Sequence, residues 1–190
     1  MNKAAGRSAT TRKKIIESSH VQFRRLGIEG SSLAGIMSAV GLTNGGFYGH
    51  FNSKAHLVAE SIAAASQELV SHLTEASVNA EPLVAYEAII NSYLCVDHRD
   101  EESGCPYAGW GSDLARSNES VRAQAVEGFE CVVAFLAMYQ KGQASSERRR
   151  QAVLAMCTMM GALTMSRIAK GSALSDEVLS LATRNLLESK

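Results

Sequence analysis

Along most of the chain, apolar side chains recur every three or four residues, the spacing of one helix face, and no stretch keeps the two-residue alternation of a strand. In TRKKIIESSHVQFRRL, residues 11–26, Ile15, Ile16, Ser19, Phe23 and Leu26 share a stripe, and Gly27 supplies a stop. In GSSLAGIMSAVG, Leu33, Ile36, Met37 and Val40 repeat the pattern between serines able to cap the first turn and Gly41 at its end. A long alanine-rich helix follows a capping serine at position 53, and another apolar helix spans 82–96. The segment DHRDEESGCPYAGWGS reads as a loop leading into a short helical piece that ends near Arg116. Next come a helix capped by Ser117 or Asn118 that stops near Gly142, and two last long helices. The pattern predicts an all-α fold of about nine helices.

One stretch resists this pattern. TNGGFYGHF, residues 43–51, holds three glycines and an Asn-Gly step, ordinarily a hairpin signal. Neither flank alternates, while Thr43 can cap a helix and Phe47 and Phe51 sit i, i+4 on one face. Helix, turn, helix is the better fit. Each glycine costs a helix interior up to about 1 kcal/mol relative to alanine, and burial of an aromatic ring returns roughly 1.5–3 kcal/mol, so Phe47 and Phe51 are the expected anchors. The second helix of such a unit enters the major groove of DNA. Gly45, Gly46 and Gly49 would then let backbone approach the duplex, with readout left to Thr43, Asn44 and His50. Asn44 suits an adenine edge and Thr43 offers a hydroxyl or methyl, while Tyr48 and Lys54 suit phosphates. Alternatives stay open: Tyr48 as half-core, His50 as a brace, Asn44 as a simple cap.

Charge supports an anionic partner at this end. Lys and Arg outnumber Asp and Glu eight to three in residues 1–60 and are outnumbered sixteen to eleven beyond, within a formal net charge of zero. Arg7, Arg12, Lys13 and Lys14 extend the basic surface, and residues 1–10 read as a basic arm, either solvated or inserted in a groove. The N-terminus lacks the apolar stretch of a secretory signal and no apolar run is long enough to span a bilayer, so a cytoplasmic protein with reduced thiols and no membrane contact is expected. The four cysteines form no CxxC pair, and neither a metal nor another cofactor is expected. No HExxH helix, nucleophile elbow or phosphate loop is present, and the cluster Asp97, His98, Asp100, Glu101, Glu102 reads as a solvated acidic loop, so no catalytic residue is assigned.

GIEGSSLAGIMSAVGLTNGGFYGHFNSKAHLV closely resembles the DNA-binding segment of the TetR family of transcriptional regulators, whose hallmark is an aromatic-x-His-Phe ending followed by Ser-Lys and an apolar residue. The likeness spans about the first 60 residues, with Gly41, Tyr48, His50, Phe51 and Lys54 in register. It implies a helix-turn-helix DNA-binding domain over 1–52, a helical effector-binding and dimerisation domain over 53–190, and a homodimer that binds a palindromic double-stranded DNA operator, usually to repress. It also implies DNA contact at Ser32, Thr43, Tyr48, His50 and Lys54, to which the residue reading adds Asn44, Gly45 and Gly46. Glycine at 45, 46 and 49 departs from the family pattern and shifts weight toward shape readout. The last two helices would form the dimer's four-helix bundle, with Met156, Met159, Met160, Leu163 and Met165 as apolar contacts or as core of one subunit. For a small-molecule effector the candidate lining is Tyr93, Tyr107, Trp110, Phe129 and Met138, each equally a core residue. Cys105, in a polar loop, reads either as a reachable thiol sensor or as a cysteine packed under the loop, whereas Cys131 and Cys157 read as buried.

Overall fold

The computed structural model describes residues 3–78, 81–101 and 104–188. Its elements are α1 (Lys3–Gly30), α2 (Leu33–Ala39), a 3-10 segment (Asn44–Gly49), α3 (Lys54–Ser77), α4 (Pro82–Tyr93), α5 (Val96–Asp100), α6 (Pro106–Arg116), α7 (Glu119–Ala137), α8 (Ser145–Ile168) and α9 (Ala173–Glu188). Among the described residues there is no strand.

The all-α expectation holds, with three local differences. The basic arm is helical from Lys3 onward: it contains no proline, and a helix already anchored by Ile15 and Phe23 extends backward at little cost. Residues 44–49 form a 3-10 segment rather than an α-helix. The acidic loop begins as α5, because Arg99 is drawn inward and donates to Ser175 Oγ and to Asp176, both at 2.9 Å, as well as to Asp100. Two helices end earlier than expected, α4 at Tyr93 rather than 96 and α7 at Ala137 rather than near Gly142, while several other sequence signals act where they stand. Gly27 takes φ +73° and breaks α1, Asn118 caps α7 by accepting from the Val121 N–H, and Ser53 caps α3 by accepting from the His56 N–H.

A small N-terminal unit, α1 with α2 and the 3-10 segment, sits on the start of α3; α4, α6 and α7 pack on α3, and α8 with α9 packs behind them against α7, α6 and α4. The most extensive helix pairing joins α3 to α7. Gly128 of α7 lies against this contact, where the Ser66 hydroxyl donates to Ile62 C=O at 2.7 Å and shares a 2.7 Å hydrogen bond with the Tyr107 hydroxyl, which also reaches Ala125 C=O. Burial pushes the Tyr107 phenol up to about 12, so it stays a neutral donor. Along α8, Met156, Met159 and Leu163 are buried in the core, while Met160 is half-buried and Met165 exposed. Of these five positions Met165 is the exposed one.

A Cβ on Gly128 would lie 2.7 Å from the Tyr107 hydroxyl and closer still to Ser66 Oγ. Gly128→Ala is expected to push α3 and α7 apart and lower unfolding free energy by about 1–3 kcal/mol, measured by urea denaturation; an unchanged midpoint would refute this packing.

Candidate functional site

The N-terminal unit is built from α2 outward. Ser32, extended at φ −90°, caps α2 by accepting the Gly35 N–H at 3.0 Å, and Ile36 and Met37 drive the inner face into the core. The helix ends in a Schellman motif: Gly41 has φ +72° and its N–H bonds Ser38 C=O, while the Leu42 N–H bonds Met37 C=O at 2.9 Å. This turn aims the chain into the 3-10 segment.

There Phe47 and Phe51 are both fully buried and stack with ring centroids 5.5 Å apart, while the Arg12 guanidinium lies 4.6 Å over the Phe51 ring. Arg12 also pairs with Glu60, and its hydrogen bond holds the Glu60 carboxyl below its ordinary value against the opposing effect of burial. Arg12, expected on the basic outer surface, thus ties α1 to α3. The His56 ring completes the support: Nδ1 accepts the Asn52 N–H and Nε2 donates to Glu60 at 3.0 Å. Sequence reasoning missed Glu60 and His56; a Ser-x-x-His relative of the capping box was the available signal for His56, and nothing local marks Glu60.

Around this buried base the residues expected to meet DNA lie together. Thr43, Asn44, Gly45, Gly46 and Tyr48 are exposed, Tyr48 at 67% while its ring edge rests on Phe47; Ser32 is exposed at the head of α2, and His50 is half-buried at the segment's end. Thr43 precedes the segment without a side-chain capping bond. The Lys54 ammonium donates to Glu29 C=O at 3.3 Å, which leaves two of its three donors for phosphate. A Cβ at Gly45 or Gly49 would meet nothing within 4 Å, and one at Gly46 only Met37 and Thr43 at ordinary contact distance. The protein's own packing therefore places no demand for glycine at 45 or 49.

The residues named for an effector pocket do not converge. Trp110 faces α1, edge-on to Phe23 at 5.7 Å, while Tyr107 lies in the α3–α7 contact with Phe129 edge-on at 5.3 Å. Met138, at the end of α7, is 66% exposed. Cys105 is 1% exposed, not a reachable loop thiol, and burial pushes its pKa up. Its backbone is pinned to α5: the Cys105 N–H donates to His98 Nε2 at 3.0 Å, and the His98 Nδ1–H donates to Tyr93 C=O at 2.7 Å. Tyr93 is itself fully buried beside Cys105, and burial raises its pKa well above the ordinary phenol range. Cys131 and Cys157, expected inside, are exposed, each on the outward stripe of its helix. A polar cavity of 240 Å³ opens beside Cys105, with Glu68, His72, His98 and Glu101 in its wall.

A capped short helix, a tight glycine turn and an exposed segment on a buried aromatic base, mounted on a larger helical body, define a helix-turn-helix DNA-binding regulator. The comparisons agree. The family model "Bacterial regulatory proteins, tetR family" matches residues 15–61, and the model for the C-terminal domain of LmrA/YxaF-like transcriptional regulators matches residues 82–179. The chain is 37% identical over 73 residues to the probable HTH-type transcriptional regulator ArpR of Pseudomonas putida, covering 38% of this chain and 34% of that protein. It is 39% identical over 67 residues to the HTH-type transcriptional regulator TtgR, also of Pseudomonas putida, covering 35% and 31%. The chain thus spans about a third of the length of the curated relatives it matches. In fold it is similar to reduced NemR of E. coli, with TM-score 0.79, 19% identity and coverage of 93% and 95%. It is also similar to a TetR-family regulator of Agrobacterium tumefaciens, with TM-score 0.78, 23% identity and coverage of 96% and 98%. The chain belongs to the TetR family of transcriptional regulators, which are DNA-binding proteins and not enzymes.

Two outcomes follow from this geometry. Phe51→Ala should lower stability by about 3–5 kcal/mol, whereas Tyr48→Ala, removing an exposed ring, should change it by less than about 0.5 kcal/mol; chemical denaturation of both variants checks the contrast. His98 fits its pocket as a neutral ring, and burial lowers its pKa from the ordinary 6.5. The unfolded chain then takes up this proton at higher pH than the folded one, so the contribution is complete above about 6.5 and shrinks as pH falls below it. Stability measured across that window should decline on acidification in the native protein and more weakly in His98→Gln.

Proposed function

We propose that the protein is a cytoplasmic, homodimeric repressor that binds a palindromic DNA operator and is released by a small-molecule or thiol-reactive effector. The N-terminal residues through 52 would contact DNA, and the helices from 53 onward would dimerise and hold the effector. The observation that carries the DNA reading is the pairing of two fully buried rings, Phe47 and Phe51, with an exposed outward face of Thr43, Asn44, Gly45 and Tyr48. Lys54 and Ser32 flank that face as phosphate contacts.

Dimerisation is supported by an unpartnered apolar stripe. On α8, Leu154, Cys157, Gly161, Met165 and Ile168 recur at helical spacing on the exposed side, Ile168 at 72%, and on α9 Leu174 and Leu181 are exposed. Two copies of such a helix pair would close as a four-helix bundle, with Gly161 allowing close approach.

Release is assigned to a small molecule in the 240 Å³ cavity at the N-terminal end of α6, because the other end of that helix grips α1. Thiol chemistry at Cys105 is the second reading. Burial opposes its thiolate, while Tyr93, Arg167 and the backbone at Tyr107 and Ala108 surround the sulfur and favour it.

The test is selection of bound duplexes from a random pool, followed by a screen for compounds that release the winner, run on the native protein and Cys105→Ser. A palindrome should be enriched, and affinity should fall steeply with salt. Gly45→Ala should fold at least as stably as the native protein, since its methyl meets no protein atom, yet bind the palindrome at least tenfold more weakly. Ile168→Glu should sediment as a monomer and lose operator binding. Enrichment of no palindrome, or full binding by monomeric Ile168→Glu, would overturn the reading.

A further inference from the structure

The junction between α1 and α2 is held from outside the N-terminal unit. At Gly27 the chain leaves the helix with φ +73°, a conformation suited to glycine, and the next amide, Ile28 N–H, donates to Asp113 Oδ2 of α6 at 2.7 Å. The two partners are 85 residues apart in sequence. The approach is so close that a Cβ at position 27 would lie 2.8 Å from the same oxygen. Asp113's other oxygen takes the Arg116 guanidinium at 2.5 Å, and its carboxylate is largely buried. One turn earlier on α6, Trp110 packs against Phe23 and His20 of α1, and Gly109 against the Arg24 stem.

The same junction leads directly to the DNA-facing elements. Ile28 is buried, the Ser31 hydroxyl donates to Gly27 C=O at 2.7 Å, the Lys54 ammonium donates to Glu29 C=O, and Ser32 begins α2. Whatever orients Ile28 therefore orients α2 and the segment behind it. We infer that Asp113 is a positioning residue for operator binding: by accepting the Ile28 N–H it locks the N-terminal unit to α6 and fixes the separation of the two recognition segments in a dimer. This rests on the homodimer reading above. A palindrome-binding dimer reads half-site spacing only as strictly as its two DNA-binding units are held. With the carboxylate gone, a buried N–H loses its acceptor and the unit leans more on the packing of Trp110 and Gly109 against α1, which permits sliding and small rotations.

The experiment measures affinity for the selected palindrome and for the same half-sites moved one base pair closer or further apart. The native protein should prefer its own spacing at least tenfold. Asp113→Ala should narrow that preference to threefold or less. Asp113→Asn keeps a carbonyl acceptor and should restore most of it, and Arg116→Ala, which spares the acceptor, should match the native protein. Trp110 is the sole tryptophan of the chain, so its emission, together with sedimentation, checks that each variant is folded and dimeric. Should Asp113→Ala not fold, Asp113→Leu, isosteric and without an acceptor, is read in the same way. A native-like spacing profile in the acceptor-free variant, or an equal loss at every spacing, overturns the inference while leaving the regulator reading intact. Absence of any spacing preference in the native protein removes both.

Discussion

The contact between the Phe47 and Phe51 rings bears the weight of the N-terminal unit. Six residues with three glycines and no side-chain cap have no local reason to hold a helical shape, and nucleation of so short a helix is unfavourable in any sequence. What fixes them is the base beneath: two rings at full burial, α2 locked by its Schellman turn, and Arg12 reaching from α1 over Phe51 to Glu60 of α3. Three helices thus converge on one aromatic pair. Because stability is drawn from below, the upper side is left with exposed side chains, of which Tyr48 rests a ring edge on the base.

The larger body is held differently. At its α3–α7 contact Gly128 leaves room for the Ser66 and Tyr107 hydroxyls, which are hydrogen-bonded to each other against the helix. A second polar knot joins α5, α8 and α9, where Ser166 and Ser175 each donate to the other's carbonyl at 2.8 Å and Arg99 reaches in from α5. There Asp100, bonded to Arg99 and Lys170, is held well below the usual carboxylate range. Such networks fix helix orientation more sharply than apolar packing alone, since every buried donor must find its partner. Between the two regions runs α6, with Cys105 and Tyr107 at one end and Trp110 and Asp113 at the other.

Periodicity revealed the all-α class and the order of the long helices, and capping residues revealed several of their ends, because both are local properties; α7 stops at Ala137, short of the expected Gly142. Ser53, Asn118, Gly27 and Gly41 act as expected for that reason. The buried rings of the recognition segment were legible because i, i+4 spacing leaves aromatic side chains one place to go. What escaped depends on distant partners. Arg12 looked like surface charge until Glu60, 48 residues away, came beside it; Arg99 made a helix of an apparent loop by pairing across 77 residues. The cysteines misled for a related reason. Cys105 sits in polar sequence yet is closed in by the His98 ring, whereas Cys131 and Cys157 sit in apolar sequence on the one side of each helix that faces out. Apolar neighbours along a chain say little about which side of a helix a given residue occupies.

The 3-10 geometry of residues 44–49 has its own corollary. With three residues per turn, side chains at i and i+3 eclipse, and each step advances about 2.0 Å rather than 1.5 Å. Position 47 therefore lines up with 44, position 48 with 45, and position 49 with 46, in three short rows. Only the first row contains a buried ring; in the other two Gly45 and Gly49 border open space, while Tyr48 leans on Phe47 and Gly46 borders Met37, so substitutions at 45 and 49 are the ones that leave the foundation untouched.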